Sequence, residues 1–262
     1  MWMTPIEAFL ISVAIAVAAK TFAWFLQLRT RNGGLVDAVW AATLGGLAVF
    51  YAFVGYAPLS VRIAMGVMGG LWGMRLAVHL FVRNWGKAED WRYARFRAEW
   101  GDRADFNMFW FFQFQNLFTL MLAASAFLTQ AFRFDEPPLI AFVLAGVIWI
   151  VSVAGEGLAD RQMERFRADP ANRGQVCRAG LWRWSRHPNY FFECLHWFAY
   201  VALAWGMAGW WWTLIAPLVM AFLLLKLSGM PLMEAEMIRR KPDYAEYVRT
   251  TSALIPLPPR AS

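Results

Sequence analysis

The stretch Gly180-Leu181-Trp182-Arg183-Trp184-Ser185-Arg186-His187-Pro188-Asn189-Tyr190-Phe191-Phe192-Glu193 decides how this chain is read. The residue ahead of a proline is pushed out of helical geometry, and proline suits the first helical position. A helix is therefore predicted to begin at Pro188, with Arg183, Arg186 and His187 at its mouth. Past that start, Asn189, Glu193 and His196 recur at four- and three-residue spacing and share one face of an otherwise apolar segment. Lipid offers such groups no hydrogen bonds, so they must turn inward toward a partner.

The rest of the sequence supports a membrane setting. Of 262 residues, 60% are hydrophobic and 17% aromatic, and mean hydropathy is positive, which lies outside the soluble norm and excludes a soluble two-domain protein. Seven apolar segments of about bilayer-spanning length stand out, at roughly 6 to 28, 35 to 57, 60 to 82, 108 to 132, 138 to 159, 189 to 207 and 209 to 229. The expected fold is all-α and polytopic, a single membrane domain over 1–262. Within it, 1–107 are expected to form the N-terminal helices with a substrate-side loop, and 108–262 the C-terminal part with a cofactor site. The start of the chain carries Glu7 and no Lys or Arg before Ile11, so the first segment is expected to stay as a span rather than act as a signal peptide. Arg and Lys crowd the connections after the first, third, fifth and seventh segments. The others hold only Arg62 and Arg133, which predicts an outside N-terminus and a cytoplasmic C-terminus in a bacterial inner membrane. The net charge of +7 thus belongs to membrane topology; no basic face on a soluble module points to nucleic acid. Cys177 and Cys194 lie in a basic loop and an apolar helix without metal-ligand spacing and read as free thiols.

Several polar residues at membrane depth have two readings. Lys20, Trp24 and Gln27 share a face of the first segment, either as a snorkelling lysine with an interfacial tryptophan or as the wall of an internal cavity. Asp37 opens the second segment as a helix cap or as a site residue. Gly45-Gly46, Gly69-Gly70 and Gly73 read as close-packing points between helices. Arg75 and His79, one turn apart, form a functional-site candidate or a structural ion pair. Gln113 and Asn116 share a face of the aromatic fourth segment. Glu156 and Asp160 end the fifth one turn apart, either as a salt-bridged exit toward Arg161, Arg165 and Arg167 or as a grip on the hydroxyl and amide groups of a nucleotide. The loop from Gly86 to Tyr93 reads as ordered, and the charged tail with Tyr244 and Tyr247 as folding back on the cytoplasmic mouth.

Carboxylates, Arg, His, Asn and Tyr around an apolar interior are what a membrane enzyme needs to take an anionic cofactor from water and an apolar substrate from lipid. Arginines at the mouth suit phosphates. With only His79, His187 and His196, no two-His motif is present, and no Gly-x-Ser-x-Gly elbow occurs, so di-iron and serine-hydrolase chemistry are set aside.

The 180–191 string, with Ala159-Asp160-Arg161-Gln162 and Asp169-Pro170-Ala171-Asn172-Arg173-Gly174 before it, resembles the steroid 5-alpha-reductase superfamily, and in particular its bacterial branch of uncharacterised integral membrane proteins. Asn32 with Val36-Asp37 and Trp40, the 86–93 loop, Tyr244-Ala245-Glu246-Tyr247 and Thr251 to Pro256 extend the likeness over most of the chain. It implies a seven-helix membrane fold and NADPH-dependent reduction of a carbon–carbon double bond conjugated to a ketone. It places Asp160 and Arg167 against the cofactor, with Asn189 and Glu193 at its nicotinamide or ribose. The full cofactor set is then Glu156, Asp160, Arg167, Arg186, His187, Asn189, Tyr190, Glu193, Tyr244 and Tyr247. Asp37, kept protonated, and the Arg75/His79 pair are the candidates beside the substrate carbonyl. The expected partners are an apolar small molecule and membrane lipid, with no obligate protein partner. Phe192 departs from the family pattern, which usually has Gly there, and the Gln-Glu pair and Tyr of the animal enzymes have no match. Arg186-His187-Pro188-x-Tyr190 with the later Tyr-x-x-Tyr also resembles membrane methyltransferases of the isoprenylcysteine and phospholipid type, which use S-adenosylmethionine.

Overall fold

The structure, a computed structural model, describes residues 3–227 and 229–260 and contains helices and turns, with no strand among the described residues. The helices are α1 (Pro5–Thr30), α2 (Leu35–Val54), α3 (Leu59–Asn84), α4 (Trp91–Trp100), α5 (Ala104–Ala123) and, after a π turn over Ala124–Leu128, the short α6 (Thr129–Ala131). They are followed by α7 (Leu139–Ala168), α8 (Pro188–Leu203), α9 (Ile215–Phe222), α10 (Met230–Arg240) and α11 (Tyr244–Thr250). Among the described residues, six helical runs are long and apolar enough to cross a membrane: Pro5–Thr30, Leu35–Val54, Leu59–Asn84, Trp91–Ala131, Leu139–Ala168 and Trp210–Arg240. The sixth of the seven expected segments is not among them. As α8 it has 16 residues, about 24 Å at 1.5 Å per residue, short of the roughly 30 Å hydrocarbon core. Its start at Pro188 is where the sequence places it. In the other direction, α7 runs on to Ala168 instead of stopping near 159, because its charged exit continues the helix.

The outer surface of α3 shows why these helices need lipid. Leu59, Ile63, Val67, Leu71, Met74, Val78 and Val82 are all exposed at three- and four-residue steps, a greasy stripe that water would not tolerate. Trp210, Trp211 and Trp212 lie half-exposed in a short 3-10 turn, as an interfacial belt requires.

The chain divides into two compact units, one of residues 1–138 and 204–216, the other of 139–203 and 217–262. The division expected near residue 108 falls inside the first unit. In that unit α2 and α3 pack along each other through Gly45 and Gly73. A Cβ on Gly73 would stand 2.5 Å from Gly45 Cα and 2.8 Å from the Ala41 carbonyl oxygen, both of them backbone atoms that cannot rotate away. Gly46 differs from its neighbour: a Cβ there meets nothing within 4 Å, so it is not a packing point. Gly73→Ala is thus expected to cost about 1–3 kcal/mol by overpacking, seen as a lower melting temperature in detergent, with Gly46→Ala unchanged; equal effects would contradict the contact.

In the second unit α7 and α8 pack together. Gly155 is essential to their fit, because a Cβ there would lie 2.4 to 2.5 Å from three carbons of the Phe192 ring. The bulky residue at 192 is accommodated by the absence of a side chain across from it.

Candidate functional site

The three residues expected beside a substrate carbonyl lie in the first unit, and the ten expected around a cofactor lie in the second.

At one end of the first unit, the turn between α1 and α2 is clamped to the loop after α3. Asn32 Nδ2 donates to the carbonyls of Asn84 (3.0 Å) and Lys87 (3.3 Å), and the Gly33 amide donates to Glu89 Oε1 at 2.7 Å. Asp37 belongs to this clamp. Arg92 Nη2 donates to its Oδ2 and the Tyr93 hydroxyl to its Oδ1, each at 2.9 Å. Through these two contacts Asp37 ties the start of α2 to α4. Asp90 caps α4 through the Arg92 amide. Burial works to raise its pKa, but hydrogen bonds and charge from Arg92, with the charge of Arg83, hold it below the usual carboxylate range. Arg97 completes the network by donating to Gln27 (2.8 Å), Glu89 (2.9 Å) and Asp105 (3.1 Å), while Trp24 Nε1 donates to the Asp105 carbonyl at 2.7 Å. The face of α1 bearing Trp24 and Gln27 is therefore a wall of packed polar contacts. Arg75 and His79 stay half-buried, one turn apart on α3.

In the second unit the basic mouth of α8 is built inward. Arg186 places its guanidinium fork on Glu234, with Nε to Oε1 at 2.7 Å and Nη2 to Oε2 at 3.2 Å, while Nη1 donates to the Val248 carbonyl (2.9 Å) and to that of Thr251. His187 Nε2 meets Glu234 Oε1 at 3.0 Å, and its ring stacks on Tyr190 with centroids 5.2 Å apart. The Tyr190 hydroxyl points to the Met233 sulfur at 3.1 Å. The Tyr247 hydroxyl donates to the carbonyls of Trp182 and Ser185. Backbone bonds finish the attachment: the Arg186 amide donates to the Ser252 carbonyl (2.8 Å) and the Leu257 amide to that of Trp184 (3.0 Å). The tail does fold back, as its charges predict, but the residues expected to grip a cofactor are the ones that fasten it. Arg186, His187, Tyr190 and Tyr247 thus make contacts with α10 or with the carbonyls of the α8 mouth and the tail. Tyr244 is buried with them, and burial raises the hydroxyl pKa values of both tyrosines.

Five residues of the expected set remain. Glu156 on α7 and Glu193 on α8 are 5% and 6% exposed, on two helices packed against each other. Glu193 Oε1 accepts from Trp197 Nε1 at 3.3 Å, and one turn further the Tyr200 hydroxyl meets His196 Nε2 at 3.2 Å. Glu193, His196, Trp197 and Tyr200 thus form a buried stripe, of which the sequence spacing showed only the polar members. Asp160 and Asn189 are partly buried, and Arg161, Arg165 and Arg167 are exposed at the end of α7. Close to this end, the amine of Lys241 has a lowered pKa, first from burial and then from the like charge of Arg167. The Lys241 amine also donates to the Gln175 carbonyl. Lys241 is far from Arg167 in sequence, so local spacing does not link the two charges. Cys177, a buried free thiol, has its pKa raised by burial, and Cys194 is likewise free and buried.

The sequence model of a family described as protein of unknown function (DUF1295) matches residues 23–251. An uncharacterised protein of Schizosaccharomyces pombe, C594.04c, is 26% identical over an alignment covering 73% of this chain and 63% of the relative. The chain therefore spans less than two thirds of that relative's length. No solved structure matches.

Proposed function

The chain belongs to the DUF1295 family of proteins of unknown function, and we propose that it is a membrane-embedded, NADPH-dependent reductase of a carbon–carbon double bond conjugated to a ketone in an apolar substrate. The observation that carries this reading is the pair of carboxylates, Glu156 and Glu193, kept in the interior of packed helices at 5% and 6% exposure. Ionisable groups at such depth are expensive and mark functional sites. The donor set fits the cofactor: Glu156, Glu193 and Asp160 offer acceptors for amide and hydroxyl groups, Asn189 offers both donor and acceptor, and Arg167 with Lys241 offers the cations that phosphates require. NADPH, when bound, supplies the hydride. In the first unit, Arg75 and His79 are the candidates that steady the substrate oxygen and pass it a proton, while Asp37 holds α4 in place. The resemblance to steroid 5-alpha-reductases supports the reaction class, and the alternating basicity of the loops supports a bacterial inner membrane with the C-terminus in the cytoplasm.

A thermal-stability titration of purified protein tests the cofactor. NADPH is expected to raise the melting temperature in a saturable manner, since a ligand bound only by the folded state stabilises it, and S-adenosylmethionine is not. Protection by S-adenosylmethionine alone would transfer the chain to the methyltransferase reading.

A further inference from the structure

One charged side chain of the first unit has no part in that reading. Lys20 lies in the middle of α1 and is completely buried, at 0% exposure. A snorkelling lysine runs along the lipid-facing surface to the headgroups and stays accessible there; Lys20 does neither. Its ammonium carries three N–H donors. Among the described residues it makes one hydrogen bond, to the neutral Gln115 Oε1 on α5 at 3.0 Å. The charge of Asp37 acts on it from beyond contact, but that carboxylate is already bonded to Arg92 and Tyr93.

The neighbouring contacts between the same two helices also end in an open group. Thr21 Oγ1 accepts from Gln113 Nε2 at 3.1 Å, and Gln113 Oε1 accepts from Asn116 Nδ2 at 2.9 Å. Asn116, 6% exposed, then presents an Oδ1 with no hydrogen-bond partner among the described residues. A buried acceptor left open is costly, and an ammonium at membrane depth without an ion-pair partner marks a ligand or ion path. The α1–α5 contact holds both, donors at Lys20 and an acceptor at Asn116.

We propose that this face of the α1–α5 contact is a binding site for the carbonyl-bearing end of an apolar ligand entering from the bilayer, with Lys20 donating to the carbonyl oxygen. Only the ligand's class, an enone, rests on the reductase reading. The polar groups that make the site stand without it.

Trapping chemistry tests the site without NADPH. Protein in lipid nanodiscs is exposed to hexadecanal, a bilayer-soluble carbonyl compound, and cyanoborohydride. An unprotonated lysine amine adds to the aldehyde, water leaves, and the imine takes hydride from cyanoborohydride to become a stable secondary amine that peptide mass mapping locates. The chain has four lysines, Lys20, Lys87, Lys226 and Lys241, so the assignment is direct. Lys20 is expected to be alkylated, and an excess of hexadecenone, an enone, is expected to suppress that labelling several-fold while hexadecane does not. Lys20 left unmodified while Lys87 and Lys241 react would overturn the proposal, as would labelling that the enone does not suppress. In the enzyme, Lys20→Met should lower enone reduction about tenfold or more with NADPH affinity unchanged; full activity in that variant would also overturn it. Wild-type protein that is trapped at Lys20 but binds no NADPH would remove the reductase reading and leave the site standing.

Discussion

Arg186→Met is expected to release the C-terminal tail and to lower the melting temperature of the purified protein by about 6–12 °C. The basis is that the methionine fills part of the space but leaves Glu234 without its forked partner and leaves the carbonyls of Val248 and Thr251 without a donor. Breaking a buried pair from one side costs about 3–5 kcal/mol. Glu234 keeps His187 and some contact with water, so the lower figure of about 3 kcal/mol applies, at about 2–4 °C per kcal/mol for a chain of this size. Limited proteolysis should then cut between 241 and 260, where the wild type resists. Arg186→Lys should restore only part of the loss, since an ammonium cannot make the two parallel bonds of the fork. The same variant separates two roles for Arg186. If the guanidinium served a cofactor phosphate, the melting temperature of the free protein would hold and NADPH affinity alone would fall.

Glu193→Gln is expected to weaken NADPH binding about ten- to a hundredfold with little change in stability. The amide oxygen can still accept from Trp197 Nε1, so the internal contact along α8 survives. What disappears is the negative charge, and a hydrogen bond to a charged group contributes about 1.5–3 kcal/mol, which converts to that range of affinity. Fluorescence titration with NADPH checks it. An unchanged dissociation constant would mean that Glu193 is retained for packing, and the cofactor assignment in the second unit would lose its main support.

The membrane-helical character of the chain was legible in its sequence because lipid enforces a simple grammar: long apolar runs, basic connections and a proline at a helix start. The start of α8 at Pro188 and the turn of the tail onto residues 182–187 follow from local rules and were readable. What local rules hide is whom a charged side chain meets. Arg186 and Glu234 lie far apart in sequence, and nothing near Arg186 signals that a glutamate will occupy its fork; an arginine beside a helix mouth looks the same whether it awaits a phosphate or a carboxylate. Asp37 carries the same ambiguity, and its partners Arg92 and Tyr93 come from a helix the hydropathy pattern does not mark. The sixth apolar segment differs in length from its helix: α8 ends at Leu203, and the turn after it accounts for the rest of the apolar run. Phe192, where the family pattern usually has Gly, packs against Gly155, a pairing that no local signal in the sequence announces. Lys20 shows the reverse case. Its position in an apolar run left snorkelling and an internal polar wall both open, and only the packing of α5 over it reveals a buried amine with, among the described residues, a single neutral hydrogen-bond partner.

The most direct measurement of the central claim is NADPH consumption by purified, lipid-reconstituted protein supplied with apolar enones, with the product analysed by mass. The reductase reading predicts enone-dependent oxidation of NADPH and a product heavier by two hydrogens, lost in Glu193→Gln at limiting cofactor and kept in Gly46→Ala. NADPH that is neither bound nor consumed with any enone, by protein that melts cooperatively and is therefore folded, would contradict it.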